Sequence, residues 1–409
     1  MTGVGSLGIA FLHEEIVPLS YPVLVAGILR RCASAGAARR AAPEPFRCRR
    51  GRNHVRATAD TLRRLISAIV KKGGSAAAEA DQVAEHLVRA NLMGHDSHGV
   101  GMIPTYVRHL KAGLVVPNTR AKVVKDDGAL LMFDGGRGYG RPVAGQAMDA
   151  AIARCRESGV VAMGLANAHH IGRVGAYGEL ASAAGLVSMH FVNVTDHRAT
   201  VAPFRGTDAR FVTNPVCIAV PGTDRHAPLL LDMATSQVAM GKIRVAKNEG
   251  KPAPEGALID AAGRPTRDPN VMYSEPHGAL VPFGGHKGYA LAVMTELLAT
   301  ALTGGPSIQP GNQRMGGVVN NMFTVLVDPG RLAGVDWLRR EIDGFIDYVK
   351  ASPPVDPKLP VLVPGEPERI AQAERDRTGI EVDATTWAEI VDAATTVGLT
   401  RAEVATLST

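Results

Sequence analysis

Val160-Val161-Ala162-Met163-Gly164-Leu165-Ala166-Asn167-Ala168-His169-His170-Ile171-Gly172-Arg173-Val174-Gly175 is an apolar run that breaks into histidine, glycine and arginine. Its first part, 160–165, reads as a buried strand, and 177–184 beyond the loop as a helix. The same alternation extends outward in both directions. Strands are expected at 130–133, 186–194, 217–220, 229–232 and 322–327, with helices at 142–154 and 288–302. Such alternation indicates an α/β layered domain, here 129–329. Both flanks read as helix. Leu62, Leu65, Ile66, Ile69 and Val70 repeat at helical spacing before Gly73-Gly74. Val83, Leu87, Val88 and Leu92 mark a second helix ending at Gly94, and 103–110 a third. Helices at 337–349, 366–377 and 386–397 follow, so 57–128 and 330–409 are expected to form a helical domain from both chain ends.

Two loops concentrate polar residues beyond what packing demands: His95-Asp96-Ser97-His98-Gly99, and Asn167 to Gly175. In an α/β sheet, ligands bind in loops beyond the strand ends. A histidine there, at a helix N-terminus, sits at the positive end of the dipole and stays neutral more readily. A neutral imidazole can take a hydroxyl proton while a hydride leaves the same carbon. The plainer reading is that these histidines cap helices or bond backbone. A metal-binding hydrolase is another alternative, with His95, Asp96, His98, His169 and His170 as ligands, but neither loop has a recognisable zinc spacing. A carboxylate substrate would need an arginine fork. Arg173 is nearest His170 in sequence; Arg141, Arg198, Arg205 and Arg244 are other candidates.

The net charge of +6 does not describe the body. Nine arginines against three glutamates in residues 1–56 carry all of it, leaving the remainder balanced. That argues against nucleic acid as a partner, and no run of 18 apolar residues predicts a membrane span. Residues 1–56 are expected to be a disordered, targeting or extension tail. The tail holds the chain's only G-x-G-x-x-G, Gly3 to Gly8, but no strand can precede a turn that begins at Gly3. It is a decoy. Cys32, Cys48, Cys155 and Cys217 form no C-x-x-C pair and read as reduced thiols of a cytoplasmic protein.

Six ordered motifs carry a resemblance. They are Gly94-His95-Asp96-Ser97-His98-Gly99-Val100-Gly101-Met102-Ile103-Pro104, His169-His170-Ile171-Gly172-Arg173, Thr213-Asn214-Pro215, Leu231-Asp232-Met233-Ala234-Thr235-Ser236, His286-Lys287-Gly288-Tyr289-Ala290-Leu291 and Leu362-Val363-Pro364-Gly365-Glu366. From about Thr58 to Leu407 the chain resembles the type-2 malate/L-lactate dehydrogenase family, within it the hydroxycarboxylate dehydrogenases. The resemblance implies a non-Rossmann, sulfolactate-dehydrogenase-like α/β fold, a mixed sheet with flanking helices plus a helical domain. It implies NAD or NADP, a small 2-oxo or 2-hydroxy acid, and a homodimer without metal. His170 matches the acid/base histidine, and Ser97 and His98 match the S-H-G motif facing substrate and cofactor. Ile171, Gly172, Arg173, Asn193, Asp232, Met233, Ala234, Thr235, Lys287, Gly365, Glu366 and Pro367 match cofactor-side positions, and His98 serves that side also. Reduction of a cyclic imine carboxylate is the alternative inside the family. One departure concerns the substrate: several relatives carry an arginine where this chain has Met102. With Arg173 and Met102 as the substrate-side residues, a dicarboxylate such as malate is disfavoured.

Overall fold

The computed structural model describes residues 54–409 except 249. Two units separate in it: the described part of one is Pro353–Pro360, and residues 54–352 with Val361–Thr409 form the other, which holds every element below. The first described element is β1 (His54–Ala57), which takes in the last three residues of the expected tail. The Gly3–Gly8 motif, Cys32 and Cys48 lie outside the described residues. Helix α1 (Ala59–Lys72) follows, capped by Thr58, whose side chain accepts from Thr61 N. It buries Leu62, Leu65, Ile66, Ile69 and Val70, the stripe expected from their spacing. Helices α2 (Ala77–Leu92) and α3 (Ile103–Lys111) complete the entry layer.

Then come β2 (Lys122–Asp127), β3 (Leu130–Asp134), α4 (Gly140–Ser158), β4 (Val160–His169), α5 (Gly175–Ala183), β5 (Val187–Thr195), β6 (Val216–Val220), β7 (Leu229–Met233) and α6 (Met240–Asn248). The short strands β8 (Leu258–Ile259), β9 (Pro265–Thr266) and β10 (Ala279–Leu280) make a small separate sheet. Next are α7 (His286–Ala301), β11 (Val319–Val327), α8 (Val335–Lys350), α9 (Glu366–Thr378), β12 (Ile380–Asp383), α10 (Ala384–Thr396) and α11 (Arg401–Leu407).

The main sheet has seven strands in the order β2-β3-β4-β11-β5-β6-β7. Only β3 and β4 are parallel neighbours, joined through α4; the other pairs are antiparallel. The sheet is therefore mixed, as expected, with flanking helices. Alternation along β5 and β11 sorts its faces. Val192 and Met322 join the apolar core with α4 and α5, whereas the adjacent Asn193 bonds Glu296 of α7. A second core gathers α1, α2 and α3 with Ile380, Val382, Ile390 and Val404 from the far end of the chain. β1 pairs with β12 at its edge, His54 opposite Asp383. Chain ends separated by some three hundred residues thus share one apolar cluster, while β2 joins the sheet. Among the described residues no helix is long and apolar enough to cross a membrane.

Candidate active site

Strand β4 is irregular where it approaches the histidines. Its register against β11 shifts between Asn320 and Met322, and Asn167 takes a left-handed φ of 57°. The Asn321 side chain fills the gap, accepting from Asn167 N at 3.0 Å. Such bulges re-aim side chains. Here the two histidines part company. His169 Nε2 and His109 Nδ1 share a hydrogen bond of 2.9 Å in the interior, whereas His170 Nδ1 is hydrogen-bonded to Tyr106 Oη at 2.8 Å and its ring stays half-buried.

The next turn is held from three sides. Ile171 N donates to Asn320 Oδ1 and Tyr177 Oη to Ile171 O. Gly172 adopts φ +71°, and a Cβ there would run into His86 Nε2, so only glycine fits.

Across from it stands the second loop. Asn91 of α2 clamps it, donating to Asp96 Oδ1 and accepting from Val100 N at 2.8 Å. Arg375 of α9 grips Asp96 with both terminal nitrogens. His98 then stacks on His170, ring centroids 5.6 Å apart and planes 10° off parallel. His98 Nδ1 is hydrogen-bonded to Ser97 Oγ at 3.0 Å. Both imidazoles are thus tied at Nδ1 by a hydroxyl, and among the described residues neither Nε2 has a hydrogen-bond partner.

Burial sets their charge. It lowers His98 to about 4, aided by His95 and Arg173, and it lowers His170 well below the usual range, aided by His98 and His169. Both rings are neutral at pH 7. Burial pushes the Tyr106 ionisation upward, so its hydroxyl keeps its proton.

The other expected residues fall into two groups. Asp232 Oδ2 accepts from Gly175 N at 2.7 Å, which brings the end of β7 against the Gly172–Gly175 turn. Leu230 N donates to Pro364 O, laying Gly365, Glu366 and Pro367 along the same edge strand. Phe283 N donates to Thr235 O, so the segment leading to the exposed Lys287 starts from Thr235. Asn193 lies elsewhere: fully buried, it spends its amide on Glu296, Pro306 O and Asn321 and is linked to the site through Asn321 and through Asn320, which donates to its carbonyl. Met102 packs against the helical core. Arg173 is 2% exposed and bonds Glu179, which Arg89 also holds.

Among the described residues no three His, Cys, Asp or Glu gather to hold a metal. Of the ligand set considered above, His95 faces Glu368 and Asp96 is held by Arg375.

Sequence reading missed Tyr106, Asn91 and Asn320. Tyr106 and His109 occupy one face of α3 three residues apart, polar groups on a face otherwise buried, which is a usable signal. Asn320-Asn321 lie at the start of β11, which begins three residues before its expected start.

The sequence profile of the malate/L-lactate dehydrogenase family matches residues 57–391. Hydroxycarboxylate dehydrogenase B of Escherichia coli (strain K12) is 46% identical over 343 residues, 83% of this chain and 94% of that protein. An L-lactate dehydrogenase of Cupriavidus necator is 46% identical over 308 residues, 75% of this chain and 88% of its own. Among solved structures, sulfolactate dehydrogenase from Methanocaldococcus jannaschii superimposes with a TM-score of 0.75 at 30% identity, covering 84% of this chain and 98% of that one.

Proposed function

The chain belongs to the malate/L-lactate dehydrogenase family, and from that premise we propose that it interconverts small 2-hydroxy and 2-oxo acids, with His170 as the group that exchanges the oxygen's proton. The family implies a nicotinamide cofactor, either NAD or NADP in this proposal, which when bound accepts or supplies the hydride at C2. The observation that carries the reading is the paired imidazoles: neutral, tied at Nδ1, and open at Nε2. In the oxidising direction His170 Nε2 takes the hydroxyl proton while its Nδ1–H donates to Tyr106 Oη. In the reducing direction the same nitrogen returns the proton. A protonated phenol both donates and accepts, so Tyr106 can hold the ring in either state. His98 lies against the same reacting atoms and keeps the His170 ring in plane.

The residues present fit a dinucleotide's needs. Gly365 adopts φ +91°, a conformation that side chains rarely take, so backbone alone lines that edge. Arg173 Nη1 is buried without a hydrogen-bond partner among the described residues. Asp232 to Thr235, Gly365 to Pro367 and Lys287 would hold the cofactor, with Gly172 and Arg173 beside the reacting end. The proposed assembly is a homodimer, favoured by Trp337, Phe345 and Tyr348 of α8, each more than half exposed; light scattering checks it.

The test is a panel of pyruvate, phenylpyruvate, glyoxylate and oxaloacetate with NADH and NADPH, read at the reduced-nicotinamide band. Turnover of none, or a His170→Ala enzyme at wild-type rate, sinks the proposal.

A further inference from the structure

The geometry points to Arg244 as the residue that binds the substrate's carboxylate, an assignment that rests on the dehydrogenase reading above. Helix α6 lies along the loop that carries Ser97 and His98. Gly241 meets the Ser97 side chain so closely that a Cβ would strike it. Three residues on, and so on the same helical face, Arg244 reaches Gly101, its Nη2 3.2 Å from where a Cβ would stand. Gly101 is buried, and the guanidinium packs closely on its bare backbone. The arginine therefore sits against the loop whose His98 stacks on His170.

A half-buried guanidinium ordinarily has an anionic partner. Arg244 has none: among the described residues it makes no hydrogen bond and no ion pair. Asp383, an acid near enough to feel its charge, is committed to capping α10, accepting from Thr386 N at 2.9 Å. Helix α6 itself carries Lys242, Arg244 and Lys247 and no acidic residue. An anion brought to this loop meets one guanidinium that has no ion-pair partner among the described residues.

Of the other candidate arginines, two are committed to hydrogen bonds and two lie over aromatic rings. Arg173 bonds Glu179 at 2.5 Å and lies beside Asp232. Arg198 donates to Met272 O, and Arg205 lies over Phe204. Arg141 lies over Tyr177, a ring with no exposed surface, and its buried Nη1 also lacks a hydrogen-bond partner among the described residues; what distinguishes Arg244 is its place against Gly101 of the His98 loop. Arg244 can meet a carboxylate bidentately, which fixes its orientation as well as its charge.

The experiment compares 2-oxo acids (pyruvate, phenylpyruvate) with their C1 amides, isosteric but uncharged, in wild type, Arg244→Met and Arg244→Lys. Arg244→Met is expected to lower kcat/KM for the acid about 100-fold, mostly through KM, the size expected of one bidentate charge-assisted contact. Turnover of the amide should stay unchanged, and Arg244→Lys should restore part of the acid preference. Cofactor affinity, followed by reduced-nicotinamide fluorescence, should not move. Equal losses on acid and amide, or no loss on either, overturn the assignment while leaving the dehydrogenase reading intact. A wild type that reduces no 2-oxo acid overturns both. If Arg244→Met does not fold, Arg244→Lys decides alone: an acid-over-amide ratio equal to wild type refutes the carboxylate contact.

Discussion

Replacing Tyr106 with phenylalanine removes one oxygen atom and leaves the ring's packing in place. That oxygen is hydrogen-bonded to His170 Nδ1 at 2.8 Å, and Tyr106 is 4% exposed, so water cannot readily take its place. Losing the partner of a buried polar nitrogen costs about 1–3 kcal/mol, and the stability of the folded chain should fall within that range. The effect on rate has two parts. The hydrogen bond biases the imidazole tautomer by about 1 kcal/mol, or about fivefold in population, and it holds the ring in the plane that stacks on His98. Together they amount to about 10- to 100-fold in kcat/KM for either direction. That is less than the roughly 10²–10⁴-fold contribution of a general base as a whole, which His170→Ala should forfeit. The sign of the pH effect is also set. Tyr106 Oη accepts from the protonated ring, so its loss lowers the His170 pKa further, and the acid limb of the oxidising profile moves to lower pH. Steady-state kinetics across pH, with urea unfolding of both variants, measures all three quantities. A Tyr106→Phe enzyme with wild-type rate and profile refutes the role of this hydrogen bond. A loss as complete as that of His170→Ala would instead make Tyr106 itself the proton donor.

Because burial holds His170 well below 6.5, its proton-carrying form is scarce at neutral pH. The kcat/KM for 2-oxo acid reduction should therefore fall about tenfold per pH unit from pH 6 to 8, while that for oxidation stays level; a flat reducing profile would contradict this. His169 and His190, both without exposed surface, are each lowered to about 3, burial being the largest cause. Each binds its proton only on unfolding once the pH falls below 6.5, so stability is lost from there down to about 3. At pH 5 the loss is about 2 kcal/mol for each residue, and equal urea midpoints at pH 7.5 and pH 5 would exclude it. Gly172→Ala puts a Cβ against His86 at a left-handed φ and should cost about 3 kcal/mol or more; a soluble variant of wild-type thermal midpoint would show that the turn yields.

The apolar periodicity of 160–165 and the polar burst after it specify strand, loop and helix without help, because burial pattern and turn chemistry are local. So does the cap on α1, where Thr58 precedes a stripe at helical spacing. The histidines of the two loops were visible as candidates for the same reason. What no local pattern contains is adjacency. β11 slots between β4 and β5, and only that pairing supplies Asn320 and Asn321 to the His170 loop. Tyr106, 64 residues before His170, becomes its partner because α3 packs beside the end of β4. Asn193 and Asn320 have the same chemistry in the sequence; tertiary packing buries one in a network under α7 and sets the other under the reacting loop. The same packing leaves Arg244 without an ion pair among the described residues where Arg173 is held by Glu179. Residue type and spacing determined which groups this chain brings to chemistry. Which of them meet, and in which charge state, was decided by long-range packing, since both the hydrogen-bond partner and the burial that shifts a pKa come from elements distant in sequence.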